Sequence, residues 1–268
     1  MPLKVGILGT GTIGGILAAA LDQGRVEAKL IALCDQDRGR AEALSASLSS
    51  KPPVVSMSAL LELCDFVVEA ASQAALPEFV PQAISRGRDM LIMSVGGLLG
   101  HEEWFRKAQE KGCRIYIPSG AIAGLDGIKS ASMGQIDSVS LTSRKPVAAL
   151  AGTKYVIERG LQLDGMAGET IIFEGSAEEA AAAFPSTSNV AAVLRFAVEP
   201  SVAVRVRVVA VPGGNRNVHE IRAEGEFGRL AVTVENVPSN ANPRTSQLAA
   251  FSALATLMNI AKSVRVGT

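Results

Sequence analysis

Gly9-Thr10-Gly11-Thr12-Ile13-Gly14 sets three glycines at the spacing G-x-G-x-x-G, directly after an apolar run at residues 4–8 and at the start of a small-residue helical stretch at 14–21. In that context the pattern has a physical meaning. Gly9 permits a tight turn, Gly11 carries no side chain to block a pyrophosphate, and Gly14 lets the helix sit close to the sheet. The unpaired amides and partial positive charge of a helix N-terminus then favour phosphate. Asp35 follows 21 residues after Gly14, at the end of a second strand-like run, where a carboxylate accepts hydrogen bonds from ribose hydroxyls and repels a 2′-phosphate. Arg38 softens that repulsion, so NAD is favoured and NADP stays open. Thr12 and Ile13 belong to the same candidate dinucleotide site.

Three further loops carry small residues after a strand: Ala70-Ala71-Ser72, Ser94-Val95-Gly96-Gly97 and Pro118-Ser119-Gly120-Ala121. In an open parallel sheet ligands bind at the carboxyl ends of the strands, so each loop is either part of the cofactor site or an ordinary turn. The chain has two histidines. His101 precedes two glutamates at a helix start and reads as a surface residue. His219 opens a strand after a glycine turn, and reads either as a sheet histidine or as a group that takes and returns a proton. Arg144-Lys145 is a solvated charge pair or a carboxylate site. Asn242-Pro243-Arg244-Thr245-Ser246 has the look of a helix cap, with an anion site as the other reading.

The elements that position these groups fall into two rhythms. Strand-like runs at 4–8, 29–34, 54–55, 66–71, 90–95 and 114–117 alternate with helical stretches at 14–21, 39–48, 58–63, 75–86 and 101–111. That alternation predicts an α/β parallel sheet covered on both faces. After about residue 119 the strands are 138–142, 170–173, 202–211, 219–224 and 229–234, with helices at 178–183, 189–198 and from 243 to 262. These predict a second α+β domain on a mostly antiparallel sheet. The expected division is 1–120, completed by 243–268, and 121–242.

Lysine plus arginine equals aspartate plus glutamate, so the formal net charge is zero. That argues against a nucleic-acid surface and a polybasic membrane anchor. No run reaches the roughly 20 apolar residues of a membrane span, and the N-terminus lacks a secretory signal. Cys34, Cys64 and Cys113 have no metal spacing and read as buried free thiols of a cytoplasmic protein.

Several segments together resemble the L-aspartate dehydrogenase family: the glycine motif, Ser94-Val95-Gly96, Pro118-Ser119-Gly120-Ala121-Ile122, Arg144-Lys145-Pro146, Phe173-Glu174-Gly175-Ser176-Ala177, Asn189-Val190-Ala191-Ala192, Val218-His219 and Asn242-Pro243-Arg244-Thr245-Ser246. They span nearly the whole chain in the family's order. The resemblance implies a Rossmann domain, an α+β domain and a last helix returning to the first. It implies oxidation of L-aspartate to iminoaspartate, which yields oxaloacetate and ammonia and can feed NAD biosynthesis. It makes His219 catalytic and brings Ala121 and Asn189 to the cofactor. His219 is then the base, for the amine or for the water that attacks the imine, and both roles stay open. Arg144, Lys145 and Thr245 are the candidates for holding substrate carboxylates, and a homodimer is expected. The competing readings are another two-domain reductase, of dihydrodipicolinate reductase or homoserine dehydrogenase type, and a non-catalytic NAD(P)-binding sensor.

Overall fold

Strands that are apolar on both sides need cover on both sides. Val5, Ile7, Phe66, Val67, Val68, Met90, Leu91 and Ile92 are fully buried in the first sheet. The computed structural model describes residues 2–185, 189–237, 246–264 and 266–267. Two units emerge from its packing, Met1–Pro118 with Ala250–Arg265, and Ser119–Ala249 with Val266–Thr268.

The first unit runs β1 (Leu3–Leu8), α1 (Thr12–Asp22), β2 (Ala28–Cys34), α2 (Arg38–Ser47), α3 (Met57–Leu63), β3 (Phe66–Glu69), α4 (Leu76–Ser85), β4 (Asp89–Ile92), α5 (Glu102–Lys111) and β5 (Ile115–Tyr116). Its five strands are all parallel, in the order β2-β1-β3-β4-β5. The order in which strands are added reverses between β1 and β3, and such a switch point opens a crevice at their carboxyl ends. Local chemistry sets the helix ends. Asp37 caps α2 by accepting from the Arg40 amide, Ser56 caps α3, and Gly112 closes α5 in the left-handed conformation. The expected strand at 54–55 reduces to one bridge between Val54 and Leu33. Pro52 and Pro53 precede it and have no N–H to extend a ladder.

The second unit runs α6 (Leu125–Ala131), β6 (Ile136–Pro146), α7 (Val147–Leu150), α8 (Lys154–Glu158), β7 (Thr170–Ser176), α9 (Ala177–Ala183), α10 (Asn189–Phe196), β8 (Val204–Val211), β9 (Asn217–Gly225) and β10 (Gly228–Asn236). The strand order is β10-β9-β6-β8-β7, antiparallel except for the β6–β8 pair. Helix α11 (Gln247–Ala261) follows, and from Ala250 it packs with the first unit. Its expected first residues, 243–245, lie outside the described residues.

β6 starts two residues before the expected 138–142 and runs four residues beyond it. Pairing on both edges, to β8 and β9, overrides the weak strand propensity of Ser143-Arg144-Lys145, and Pro146 ends it. Burial alternates along it: Val139, Leu141, Ser143 and Lys145 face inward. The short helices α6, α7 and α8 have no counterpart in the predicted elements, because four to seven residues carry too little periodicity to register.

Asn236 closes β10 at 2% exposure. Its Nδ2 donates to the Ala121 carbonyl at 2.9 Å and its Oδ1 accepts from Ser246. Asn236→Ala should leave the Ala121 carbonyl without this donor and the Ser246 O–H without its acceptor, and lower unfolding free energy by about 2 kcal/mol, measured by denaturant titration.

Candidate functional site

In the first unit the glycine turn follows β1 as expected. Gly9 sits at φ +94°, and a Cβ there would lie 2.5 Å from the backbone of Ala70 and Ala71. A Cβ on Gly14 would lie 1.9 Å from the Gly9 carbonyl oxygen, so these two glycines are demanded by packing. Gly11 is different: nothing lies within 4 Å of its would-be Cβ. It is the N-cap of α1, and no side chain caps that helix. The first amides of α1 are therefore left for an external anion. A cleft of about 510 Å³ opens here, lined by Gly9, Gly11, Asp35, Arg40, Ala71 and Ser72 among others. Its shape, its open glycine and its uncapped helix fit a dinucleotide.

Asp35 lines this cleft, but its side chain is only 2% exposed. One oxygen accepts from the Thr10 amide at 2.6 Å and the Thr10 hydroxyl at 2.8 Å, the other from the Asp37 amide at 2.9 Å and Arg40 at 2.7 Å. Burial pushes its pKa up, but the hydrogen bonds from Thr10, Arg40 and Asp37 outweigh it and hold the carboxyl at about 2. Asp35 thus ties the glycine turn to the end of β2. Arg38 does not join it: that guanidinium pairs with Glu42 on the outer side of α2. The cation in the cleft is Arg40, which sequence reasoning missed. It stands in the first turn of α2, five positions after Asp35, where the helix start turns it back toward that carboxylate.

Ala71 and Ser94, two more predicted cofactor residues, share one anchor. Glu69, fully buried at the end of β3, accepts from the Ala71 amide at 2.9 Å, the Ser94 amide at 3.0 Å and the Ser94 hydroxyl at 2.8 Å. Burial pushes its pKa up, and those bonds oppose the rise. Glu69 was missed as well; the visible signal was one acid ending the apolar run Phe66-Val67-Val68. The Ser94 hydroxyl is spent on Glu69, so the residue acts through its loop.

In the second unit His219 is 4% exposed, and its Nδ1 lies 2.9 Å from the Ser143 hydroxyl, opposite it in the β6–β9 register. Lys145, two residues along the same face, is 7% exposed. Burial first, and the neighbouring Lys145 second, hold the imidazole pKa down at about 3, so the ring stays neutral. Burial brings Lys145 down to about 8. Arg144 points to the opposite face, where Glu220 holds it at 3.0 Å and Glu169 at 3.2 Å. The adjacent cations therefore form no pair. Lys145 belongs to the site face, and Arg144 is an outer-face ion-pair residue rather than a free carboxylate holder. Ala121 sits in the loop that Asn236 grips, and Asn189 begins α10. Thr245 lies outside the described residues. His101 stacks on Trp104 with ring centres 4.0 Å apart and pairs with Glu103 at the start of α5, away from both sites in sequence and chemistry. All three cysteines are buried and free. Among the described residues there is no group of three or more His, Cys, Asp or Glu side chains that could hold a metal, and no helix is long and apolar enough to cross a membrane.

Gly11→Ala and Gly14→Ala should separate binding from stability. The first adds a methyl in open space and should leave the melt unchanged while weakening NAD binding tenfold or more. The second should cost about 3 kcal/mol of stability through its backbone clash. Calorimetry and NADH fluorescence titration read the two effects.

Known proteins match both units. Residues 126–260 match the family model "Aspartate dehydrogenase, C-terminal", and 9–118 match "Homoserine dehydrogenase, NAD binding domain". An L-aspartate dehydrogenase of Methanosarcina barkeri is 47% identical over 99% of this chain and 100% of its own length. One from Methanocella arvoryzae is 46% identical over 99% of each. The crystal structure of aspartate dehydrogenase from Thermotoga maritima covers all of both chains at 27% identity, with a TM-score of 0.74. GenD2 from gentamicin A biosynthesis, solved with NAD, shares the fold at 17% identity and a TM-score of 0.55. With both units matched and near-half identity end to end, the chain belongs to the aspartate dehydrogenase family.

Proposed function

We propose that this chain oxidises L-aspartate to iminoaspartate, released as oxaloacetate and ammonia, with His219 as a catalytic residue and NAD bound at the glycine turn. It is an NAD(P)-dependent oxidoreductase of the CH–NH2 group, as its family membership implies. The observation that carries the site reading is the enclosed row Lys145–Ser143–His219 on one face of the second sheet.

A nicotinamide held at the glycine turn would supply the hydride acceptor for oxidation at the substrate Cα. The protein's own part is placement and charge. The uncapped amides of α1 and the bare Gly11 receive the pyrophosphate, with Thr12 and Ile13 in the first turn. Asp35 fixes Thr10, and Glu69 fixes the loops of Ala71 and Ser94. Ala121 and Asn189 complete the cofactor contacts in this reading. His219, neutral and oriented by Ser143, presents Nε2 to the substrate. The reading includes a homodimer, supported by the open polar outer face of the second sheet, where Ser140, Thr142, Arg205 and Arg207 line a shallow depression of about 410 Å³. It also includes a cytoplasmic setting, supported by three unpaired thiols.

The test is reduced-nicotinamide absorbance with L-aspartate, D-aspartate, L-glutamate and L-homoserine. Turnover should appear with L-aspartate alone. Binding of nucleotide without turnover of any amino acid would replace this reading with a sensor. His219→Ala should lower kcat by about 10²–10⁴-fold with NADH binding intact; near-normal turnover removes His219 from the mechanism.

Cofactor choice has its own prediction. Arg40 offers a half-exposed guanidinium beside Asp35 in the cleft, a group able to pair with a 2′-phosphate. Arg40→Ala should weaken NADP binding at least tenfold more than NAD binding, by calorimetric titration of each nucleotide.

A further inference from the structure

The inward face of β6 and β9 carries two polar groups that the fold leaves unanswered. One step beyond the last paired residues, Arg144 and Val218, that face continues to Lys145 and Asn217. Burial alone moves the Lys145 pKa, with no acid contributing, and among the described residues no carboxylate or other acceptor pairs with its Nζ. Asn217 Oδ1 is, among the described residues, a fully buried side-chain atom without a hydrogen-bond partner. A buried ammonium without a counter-ion is costly, and an unpaired buried acceptor is rare. Both facts point to a ligand that supplies what is missing.

Ser143 decides what His219 can do. Its hydroxyl has one hydrogen-bond partner among the described residues, His219 Nδ1. A buried O–H needs an acceptor, so Ser143 donates to Nδ1 and the ring proton sits on Nε2. In that tautomer Nε2 is a donor and has no lone pair with which to take a proton from substrate.

We propose that Lys145, in its neutral form, takes the proton from the α-ammonium of the amino-acid substrate, with Asn217 Oδ1 accepting a hydrogen bond from the same nitrogen and His219 donating through Nε2. The assignment rests on the amino-acid oxidation proposed above. In the step itself one N–H bond of the ammonium breaks and a new N–H bond forms at Nζ. The substrate nitrogen keeps the electron pair, which then assists departure of the Cα hydride.

The surroundings suit this role. His219 is the titratable side chain sharing the face, and it stays neutral. On β8 the inward residues are Val206, Val208 and Ala210. From the covering helices Ala180, Phe184 and Ala191 enclose Lys145 and Ser143. Glu178 of α9 is engaged by Arg195, and Glu179 accepts from the Ser176 amide. Arg144 and Glu220 lie on the outer face. With no acid to hold its proton, Lys145 becomes neutral above about pH 8, so turnover is lost as pH falls through that value.

The test compares the wild type with Lys145→Met, Lys145→Arg and Lys145→Ala. NADH fluorescence titration reports folding of each variant. In the wild type kcat should rise through pH about 8 to a plateau. Lys145→Met should lose about 10²–10⁴-fold in kcat, with KM for L-aspartate within about threefold. Lys145→Arg should be equally slow, since arginine does not give up its proton. Ethylamine should restore part of the Lys145→Ala rate, in proportion to its neutral form. A tenfold rise in KM at unchanged kcat would overturn the assignment and make Lys145 a carboxylate holder. Retention of the limb near pH 8 in Lys145→Met would overturn it equally. Wild-type turnover of L-aspartate in the same assay keeps the two questions apart. If it is present while the variants are unaffected, only the Lys145 role falls. If it is absent, the proposed reaction falls and Lys145 with it.

Discussion

The antiparallel register that sets Ser143 against His219 is the constraint on which the second unit's chemistry depends. Side chains alternate along a strand, so a one-residue slip of β6 would send Ser143 and Lys145 to the outer face, and a slip of β9 would send His219 there. There the imidazole and the amine would regain water, and their proton affinities would return toward ordinary values. The register is held from both edges, because β6 is the central strand with β8 on one side and β9 on the other. Val139 and Leu141 on β6 and Ile221 and Ala223 on β9 share the inward face with the polar row. Their burial resists any slip that would expose them. The hydrophobic pattern that folds the sheet thus also fixes where its reactive groups stand.

The first unit solves a different problem with two acids. Its cofactor loops are short and rich in small residues, which gives close approach to backbone but little packing of their own. Asp35 and Glu69, at the carboxyl ends of β2 and β3, supply the missing rigidity. Each carboxylate collects several donors from neighbouring loops. The two differ in setting. Asp35 has Arg40 beside it and stays ionised far below neutral pH, whereas Glu69 has only amides and a hydroxyl in a fully buried place. An acid at the end of β2 is usually read as a ribose ligand. Here its oxygens are already engaged by the protein, which makes Asp35 as much a brace for the glycine turn as a contact for the nucleotide.

Both units keep polar atoms out of water at positions where an apolar residue would pack more simply. Replacing a buried polar pair as a whole by apolar residues is often neutral or favourable for stability, and a buried group with no partner has still less to lose. Lys145 and Asn217 are the clearest instances, since the fold leaves them without partners among the described residues. In the proposed mechanism it is the substrate that supplies their partners.

The sequence by itself determined the architecture of the first unit. The G-x-G-x-x-G after an apolar run, the alternation of strands and helices, and an acid at the end of β2 are local signals, and each was legible because period and turn chemistry act over a few residues. It also carried enough particular segments to mark the family. What it did not determine was the company each residue keeps. Arg144 and Lys145 are neighbours in the chain and read as one cationic cluster, yet the pleat sends them to opposite faces, one to Glu220 and the other beside His219. Arg38 was the cation expected near Asp35, and a two-residue step along α2, about half a turn, gave that place to Arg40. Glu69 and Asn236 drew no notice, because a lone polar residue at a strand end has no periodic signature. Only the tertiary structure decided these pairings. Apart from Arg40–Asp35, they join residues 25 to 115 positions apart, and pairing at that separation depends on sheet order and register, which no local window of sequence contains.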